Sequence, residues 1–248
     1  MISIRRLVLS LFALSILIHP LNAGLDEMKA QFQSFSGDEY IGSETLIARS
    51  GDDGTLIEVT IYENESGVWI KEAYPEFVQY YHCDSKYRTL EWAYEYPENK
   101  IAIGAKRIRR ADANSETDTL IVNGDYMDGP VEQEYEIDST VPWMQALDYS
   151  FTAIRPQSKH VLYQLRPRDL RPTKMILTYK RDGDYPVDEG ITRAAHRLKL
   201  RVKGFWSIFW STTFWVDKHS RTLLQKTIHT NPKLITTRLW ELDARAHD

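Results

Sequence analysis

The stretch His196-Arg-Leu-Lys-Leu-Arg-Val-Lys-Gly204 decides the fold class of this chain. Its apolar residues, Leu198, Leu200 and Val202, alternate with basic residues at every intervening position. Successive side chains of an extended strand point to opposite faces, so this period of two places the apolar residues on one side and the charges on the other. The sequence predicts a strand with a core face and a solvent face.

The flanking sequence extends this strand into a β-meander from His196 to Leu242. Residues 205–216 are rich in aromatic and β-branched side chains, which suit pleated surfaces. Asp217-Lys218-His219-Ser220 predicts a turn, and 222–230 predicts the returning strand. Two hairpins near residues 40–71 also favour an antiparallel sheet. Further turns are predicted at 123–125 and 182–186, where Gly, Asn and Asp cluster.

Two segments have helical spacing. Leu25, Met28 and Phe32 form one apolar stripe, which predicts a short amphipathic helix. The principal helix is expected at 142–152, where Pro142 suits a first helical position. The expected fold is a single β-rich domain of residues 24–248. Its strongly curved antiparallel sheet, or half-open β-barrel, has ten strands or more, and the principal helix lies in or across its mouth.

The first residues have the layout of a secretory signal peptide. Arg5 and Arg6 precede an apolar run from Leu7 to Ile18, and Ala23 is a small residue suited to the cleavage site. The run is too short for a membrane-spanning helix, which needs about 20 apolar residues. We therefore expect signal residues 1–23 to be removed and the mature protein to be exported, periplasmic or secreted, and not an integral membrane protein.

Composition restricts the function classes. Without residues 1–23, 29 of the 31 basic side chains remain against 35 acidic ones, because only Arg5 and Arg6 are lost. This mild acidity argues against nucleic-acid binding and gives no general attraction to anionic membranes. Cys83 is the only cysteine, so no intramolecular disulfide can form. Stability must come from a core supplied by 7 Trp, 14 Tyr and 8 Phe.

No catalytic or metal motif stands out. His82-Cys83-Asp84 is a run of reactive side chains, but neighbours on a strand point to opposite faces, so His82 cannot easily activate Cys83. The histidines lack the spacing of metal ligands, and no nucleophile elbow or phosphate-binding loop occurs. We predict no catalytic residue, metal or cofactor, although a catalytic pair of carboxylates could not be recognised from sequence.

The aromatic content of residues 205–215 exceeds what one face of a sheet requires, since alternation would bury only about half of the positions. Two interpretations follow. The surplus aromatics pack against the predicted principal helix, or they form the wall of a cavity or a partner surface.

A resemblance accompanies this pattern. The signal peptide, the Pro142-Trp143 helix and the segment from Gly204-Phe205-Trp206 to Phe214-Trp215-Val216-Asp217 resemble uncharacterised exported proteins of Gram-negative bacteria. Those proteins are similar in architecture to the periplasmic lipoprotein carriers, in which a curved half-open barrel is closed by helices around an apolar cavity. The specific part covers about the last hundred residues. It implies a carrier architecture and supplies no catalytic residue.

The resulting hypothesis is an exported, non-enzymatic binding or carrier protein for a lipid, an acyl chain or another apolar ligand. Six aromatic residues are predicted to line its groove: Trp143, Phe151, Trp206, Phe209, Phe214 and Trp215. Two alternatives stay open. One is a secreted hydrolase with catalytic residues far apart in sequence, and the other is a scaffold that binds a protein partner of the cell envelope.

Overall fold

The computed structural model describes residues 23–35, 42–51, 56–110, 116–127, 129–166, 169–188, 190–203, 210–230 and 234–247. Of the predicted signal residues 1–23, residues 1–22 lie outside this set and Ala23 is the first residue of the first helix. The described chain is mainly β, as predicted. Its elements are α1 (Ala23–Phe35), β1 (Gly42–Gly51), β2 (Leu56–Asn64), β3 (Gly67–Ala73), β4 (Val78–Cys83), β5 (Thr89–Tyr96), β6 (Ile101–Ile108), β7 (Thr117–Tyr126), β8 (Gly129–Asp138), β9 (His160–Leu165), β10 (Pro172–Asp188), β11 (Ile191–Val202), β12 (Trp210–Asp217), β13 (Leu223–Thr230) and β14 (Leu234–His247), with 3₁₀ turns at Pro97–Asn99 and Leu147–Thr152.

These strands form one antiparallel sheet in the order β8-β7-β6-β5-β4-β3-β2-β1-β14-β13-β12-β11-β10-β9. It consists of two meanders, β1–β8 and β9–β14, which we call the N-terminal half and the C-terminal half. They join where the first strand pairs with the last, in a register that runs from Gly42 opposite His247 to Gly51 opposite Thr237. The sheet stays open, with β8 and β9 as its edges.

The approach of the two edge strands to each other shows that the sheet is curved. Asp138 ends β8, and its backbone N–H lies 3.4 Å from the Tyr163 hydroxyl on β9. The Asp138 carboxylate accepts a hydrogen bond of 3.1 Å from Lys174 on β10. Tyr163 and Leu165 of β9 also belong to the core that β2–β8 build. A flat sheet of this order would hold these edges far apart, so the sheet is strongly curved although it is not closed.

The prediction of a principal helix at 142–152 is wrong. Residues 142–146 are not helical, and only Leu147–Thr152 form a 3₁₀ turn. The reason is tertiary hydrogen bonding. Tyr163 N–H donates to the Pro142 carbonyl over 2.8 Å and Met144 N–H donates to the Tyr163 carbonyl over 2.9 Å, a parallel bridge that takes up backbone groups a helix would use.

The predicted N-terminal helix is confirmed as α1, but it lies on the outside of the sheet. Leu25, Met28 and Phe32 are buried. They pack on a cluster of β2–β5 side chains that includes Tyr62, Trp69, Tyr80 and Ala93. These residues alternate along their strands with the core residues of the opposite face, so α1 covers the outer face of the N-terminal half.

The C-terminal meander is confirmed as β11–β14. Two predicted turns, however, are strand. Residues 123–125 continue β7 to Tyr126, and 182–186 continue the long β10. Gly124 explains the first error: its φ is +131°, and a Cβ there would stand 2.0 Å from the Ala102 carbonyl oxygen. This glycine serves a close approach of β6 rather than a turn.

Candidate functional site

The connection between β8 and β9, residues 139–159, runs through the interior and is named here the crossing segment. It lies between two cores. Trp143, Ala146 and Tyr149 pack into the core of the N-terminal half. Met144, Leu147, Phe151 and Ile154 pack into the core of the C-terminal half. One irregular segment therefore fills the space between the two arms of the curved sheet.

Polar groups fix the crossing segment in place. The buried Thr89 hydroxyl accepts hydrogen bonds from the backbone N–H groups of Gln145 (2.9 Å) and Ala146 (3.4 Å). The side-chain oxygen of Gln145 accepts from Trp143 Nε1 over 3.2 Å and from Leu165 N–H over 2.8 Å. Because the backbone groups of this segment are paired with both arms, it can stay in the interior without a helix.

Two adjoining cavities flank the crossing segment. The first measures about 460 Å³ and the second about 610 Å³. Their walls share four residues: Gln79, Gln145, Leu165 and Arg166. Each volume lies within the range of about 300–1,000 Å³ that small-molecule sites occupy. We call the two cavities together the groove.

The groove is lined mainly by apolar side chains. In the first cavity these come largely from β10–β13 and include Met175, Leu200, Trp210, Phe214 and Ile228. In the second they come largely from the N-terminal half and include Phe77, Trp92, Tyr94, Tyr96, Ile101, Ile103 and Tyr126. Apolar walls with a few convergent polar groups are typical of sites for apolar ligands.

The wall of the first cavity contains a buried carboxylate. Glu72 is 5% exposed and accepts hydrogen bonds from the Tyr81 hydroxyl (2.9 Å) and from the Tyr149 hydroxyl. The Tyr81 hydroxyl oxygen also lies 3.0 Å from Gln79 Oε1. Burial, with the neighbouring Glu72 carboxylate, holds the pKa of Tyr81 well above its ordinary value. Tyr81 thus stays a neutral donor across the physiological pH range.

The six predicted groove residues are not all brought together. Phe214 lines the first cavity and packs on Phe151, with ring centroids 5.2 Å apart. Phe151 and Trp143 are fully buried in the two cores, behind the cavity walls. Trp215 lies on the outer face, 5.8 Å from the Tyr185 ring. Trp206 and Phe209 fall outside the described residues. Ligand binding by these residues stays a prediction, and Trp215 does not line the groove that the two cavities form.

Most residues of the groove lining were not predicted from the sequence, because they are far apart in the chain. Trp92, Tyr94 and Tyr96 offered a signal, since aromatics at alternate positions put one aromatic row on one face of β5. Phe77 stacks on Tyr74 with centroids 4.0 Å apart, just before β4. Nothing in the sequence shows that this row faces Leu165 and Leu170 across the groove.

Cys83 and His82 lie on opposite faces, as strand geometry predicts. The Cys83 thiol is in the core of the N-terminal half, and burial raises its pKa to about 12. The His82 ring stacks on Trp69 at 3.8 Å on the outer face. A thiol held neutral at this depth is a packing group. Among the described residues, no group of three or more His, Cys, Asp or Glu side chains could hold a metal ion.

In the part of the chain that the structure describes, no helix has the length and apolar character needed to cross a membrane. No protein-family model matches the sequence. A search of curated proteins likewise finds no match.

Solved structures provide the comparisons. The chain is similar to the crystal structure of a β-barrel-like protein of domain of unknown function DUF1849 from Brucella abortus, with 9% identity and a TM-score of 0.50 over 83% of this chain and 98% of that chain. An outer membrane lipoprotein-sorting protein domain from Vibrio parahaemolyticus aligns with 9% identity over 88% and 91% of the two chains, at a TM-score of 0.27 that establishes no shared fold. The first comparison therefore supports the barrel-like β fold that the sequence resemblance implied.

Proposed function

We propose that this protein is an exported carrier or binding protein that holds an apolar molecule, such as a lipid or an acyl chain, in the groove beside the crossing segment. The observation that carries the proposal is the pair of adjoining cavities, each lined mainly by apolar side chains. Because the two cavities share four wall residues, one chain-like ligand can extend from the first cavity into the second.

The lining explains how such a ligand would be held. Trp210 and Phe214 offer apolar surface from β12, and Tyr94 and Tyr96 offer it from β5. Burying apolar ligand surface contributes about 25 cal/mol per Å², so a groove of this size supports useful affinity without a charged contact. Gln79 and Gln145, between the two cavities, supply polar atoms that can orient a ligand.

A titration with a fluorescent acyl probe tests the proposal. Trp210 and Trp215 form a matched pair, because both are half-buried on β12 but only Trp210 lines the groove. We expect Trp210→Ala to weaken probe binding by about tenfold, the usual scale for losing an aromatic anchor. Trp215→Ala should leave binding nearly unchanged, with circular dichroism confirming that both variants fold.

Other results would redirect the proposal. Absence of probe binding by the wild type would reject the carrier role. Binding that is lost in Trp215→Ala but retained in Trp210→Ala would move the site to the outer face. Turnover of generic ester substrates by the wild type would instead favour the hydrolase alternative.

Export has its own test. The proposal requires a mature chain that begins at Gly24, because Ala23 ends the signal-like segment. Intact-mass measurement of the protein from the periplasm of a Gram-negative host decides this. A periplasmic form that keeps residues 1–23 would contradict the proposed processing.

A further inference from the structure

The outer face of the C-terminal half carries a row of four basic side chains. Arg197, Lys199, Arg201 and Lys203 alternate with the buried Leu198 and Leu200, so all four share the face opposite the core. At about 7 Å between alternate residues, this basic row spans about 20 Å. Arg201 and Lys203 are exposed and Arg197 and Lys199 are half-buried, and no described helix packs on this row, in contrast to the outer face beneath α1.

The basic row is not neutralised by its neighbours. Across the β11–β12 register, Arg197, Lys199 and Arg201 lie opposite Trp215, Thr213 and Ser211. On β10 the partners of these three are Arg181, Thr178 and Ile176. Within the described residues, none of the four basic side chains forms an ion pair. Most of the charge pairing lies elsewhere, as in Lys29–Glu95, Lys106–Glu91, Arg107–Asp118, Arg110–Glu136, Lys174–Asp138, Lys218–Asp182 and Lys226–Asp148.

An aromatic ring stands beside the row. Trp215 is half-buried and lies against Gly183, where a Cβ would be 3.5 Å from its ring. The Arg197 guanidinium lies 5.7 Å from the Trp215 ring centroid. Indole rings favour the boundary between membrane headgroups and water, where an apolar body and a polar N–H are both accommodated.

We propose that this face docks on an anionic lipid surface. A row of like charges about 20 Å long with an indole at one end can contact several headgroups of a lipid surface, in which negative charge is spread over a plane. A protein partner would favour an apolar centre, whereas the residues that flank Lys199, near the middle of the row, are Thr178 and Thr213. The net charge of the mature chain, which is −6 from 29 basic and 35 acidic side chains, does not oppose this, because salt screens charges beyond about 8 Å and leaves the local row dominant.

Vesicle co-sedimentation of the full mature chain tests the docking, whether or not the groove binds a ligand. Vesicles of phosphatidylcholine alone are compared with an equimolar mixture with phosphatidylglycerol, at low and high salt. We expect binding only to the mixture, weakened by salt. The double variant Lys199→Gln, Arg201→Gln should lose at least tenfold in binding, since each basic residue at such a surface contributes about a fivefold factor.

The control is Lys106→Gln with Arg110→Gln, which removes the same charge from exposed positions of the N-terminal half. It should bind like the wild type, and thermal unfolding shows that both double variants are folded. Equal losses in the two double variants would reduce the effect to net charge and overturn the docking face. No binding to the mixed vesicles would also overturn it, and binding to polyglutamate alone would assign the face to an acidic protein.

Discussion

The two halves of the sheet are built alike on the inside and differently on the outside. Each inner face contributes a core that packs on the crossing segment. Outside, the N-terminal half is covered by α1 over an aromatic cluster, whereas the C-terminal half carries the basic row, in which Arg201 and Lys203 are exposed and Arg197 and Lys199 are half-buried. Both inner faces must pack on the crossing segment, whereas the outer faces are not bound by that requirement and can differ. The outer face is where this fold can acquire surface properties without disturbing the groove.

The largest expected loss of stability comes from a substitution in the crossing segment, on which both halves pack. Trp143 is fully buried, and its backbone bridges β9 while its carbonyl accepts from Thr89 N–H at 2.8 Å. We expect Trp143→Ala to lower the free energy of unfolding by about 3–5 kcal/mol, as large-to-small core changes do. Denaturant unfolding measures this. Trp215→Ala, outside the shared interior, should cost less than half as much, and equal losses would contradict the central role of the crossing segment.

Arg107 tests the attachment of the crossing segment to the N-terminal half. Its guanidinium lies 2.6 Å from the Asp118 carboxylate, with the two side chains 8% and 7% exposed, and donates to the carbonyls of Ser139 and Val141. Arg107→Met leaves a buried carboxylate without its cation, so a loss of about 3 kcal/mol is expected in denaturant unfolding. Arg110→Met, which breaks an exposed pair with Glu136, should cost at most about 1 kcal/mol.

Met28 tests the covering of the N-terminal half. It lies on the buried side of α1 and is 2% exposed. Met28→Ala should lower the free energy of unfolding by about 2 kcal/mol, at the low end for such changes, because a helix on the outer face can shift to fill the cavity. Hydrogen exchange should show faster exchange in α1 with little change in β10–β13. The control is Gln33→Ala, at an exposed position of the same helix. Uniform acceleration across both halves would show that α1 is not a local cover.

The smallest expected effect is a pH dependence of stability that arises from His82 on the outer face of the N-terminal half. Burial lowers the pKa of His82 below its ordinary value of 6.5, with the nearby Glu91 carboxylate partly offsetting this. The unfolded chain therefore takes up the proton first, so stability is full above about pH 6.5 and declines as the pH falls toward the folded-state pKa. His82→Phe keeps an aromatic stack on Trp69 and should flatten this decline. Thermal midpoints across pH 5–8 measure it, and an unchanged slope would assign the decline to other groups.

Local pattern was enough to predict much of the sheet. The alternation around Leu198 and Leu200 predicted β11, and the Leu25, Met28, Phe32 stripe predicted α1, because each pattern reports which face of its own element is buried. Sequence could not show that α1 covers the outside. An apolar stripe predicts that a helix packs on something, but not on which face of the sheet.

The groove was less accessible to sequence reasoning. Its wall joins Phe214, Tyr94 and Leu165, which belong to three distant strands and meet only because the sheet curves. A helix was wrongly predicted for the crossing segment because Trp143 and Ala146 have helical spacing. Hydrogen bonds to Thr89 and Tyr163 override that local preference.

The pairing of the first strand with the last determines when the sheet can be completed. Hairpins within each half bring near neighbours together and can form quickly, whereas the Gly42–His247 register joins residues almost a full chain apart. A chain exported amino-terminus first would present β1 with unpaired N–H and C=O groups until Leu234–His247 had emerged. During that interval the unfinished half offers an edge to which any extended segment could add. We expect this interval to be the aggregation-sensitive stage of biogenesis, and a chaperone that shields extended backbone to act there.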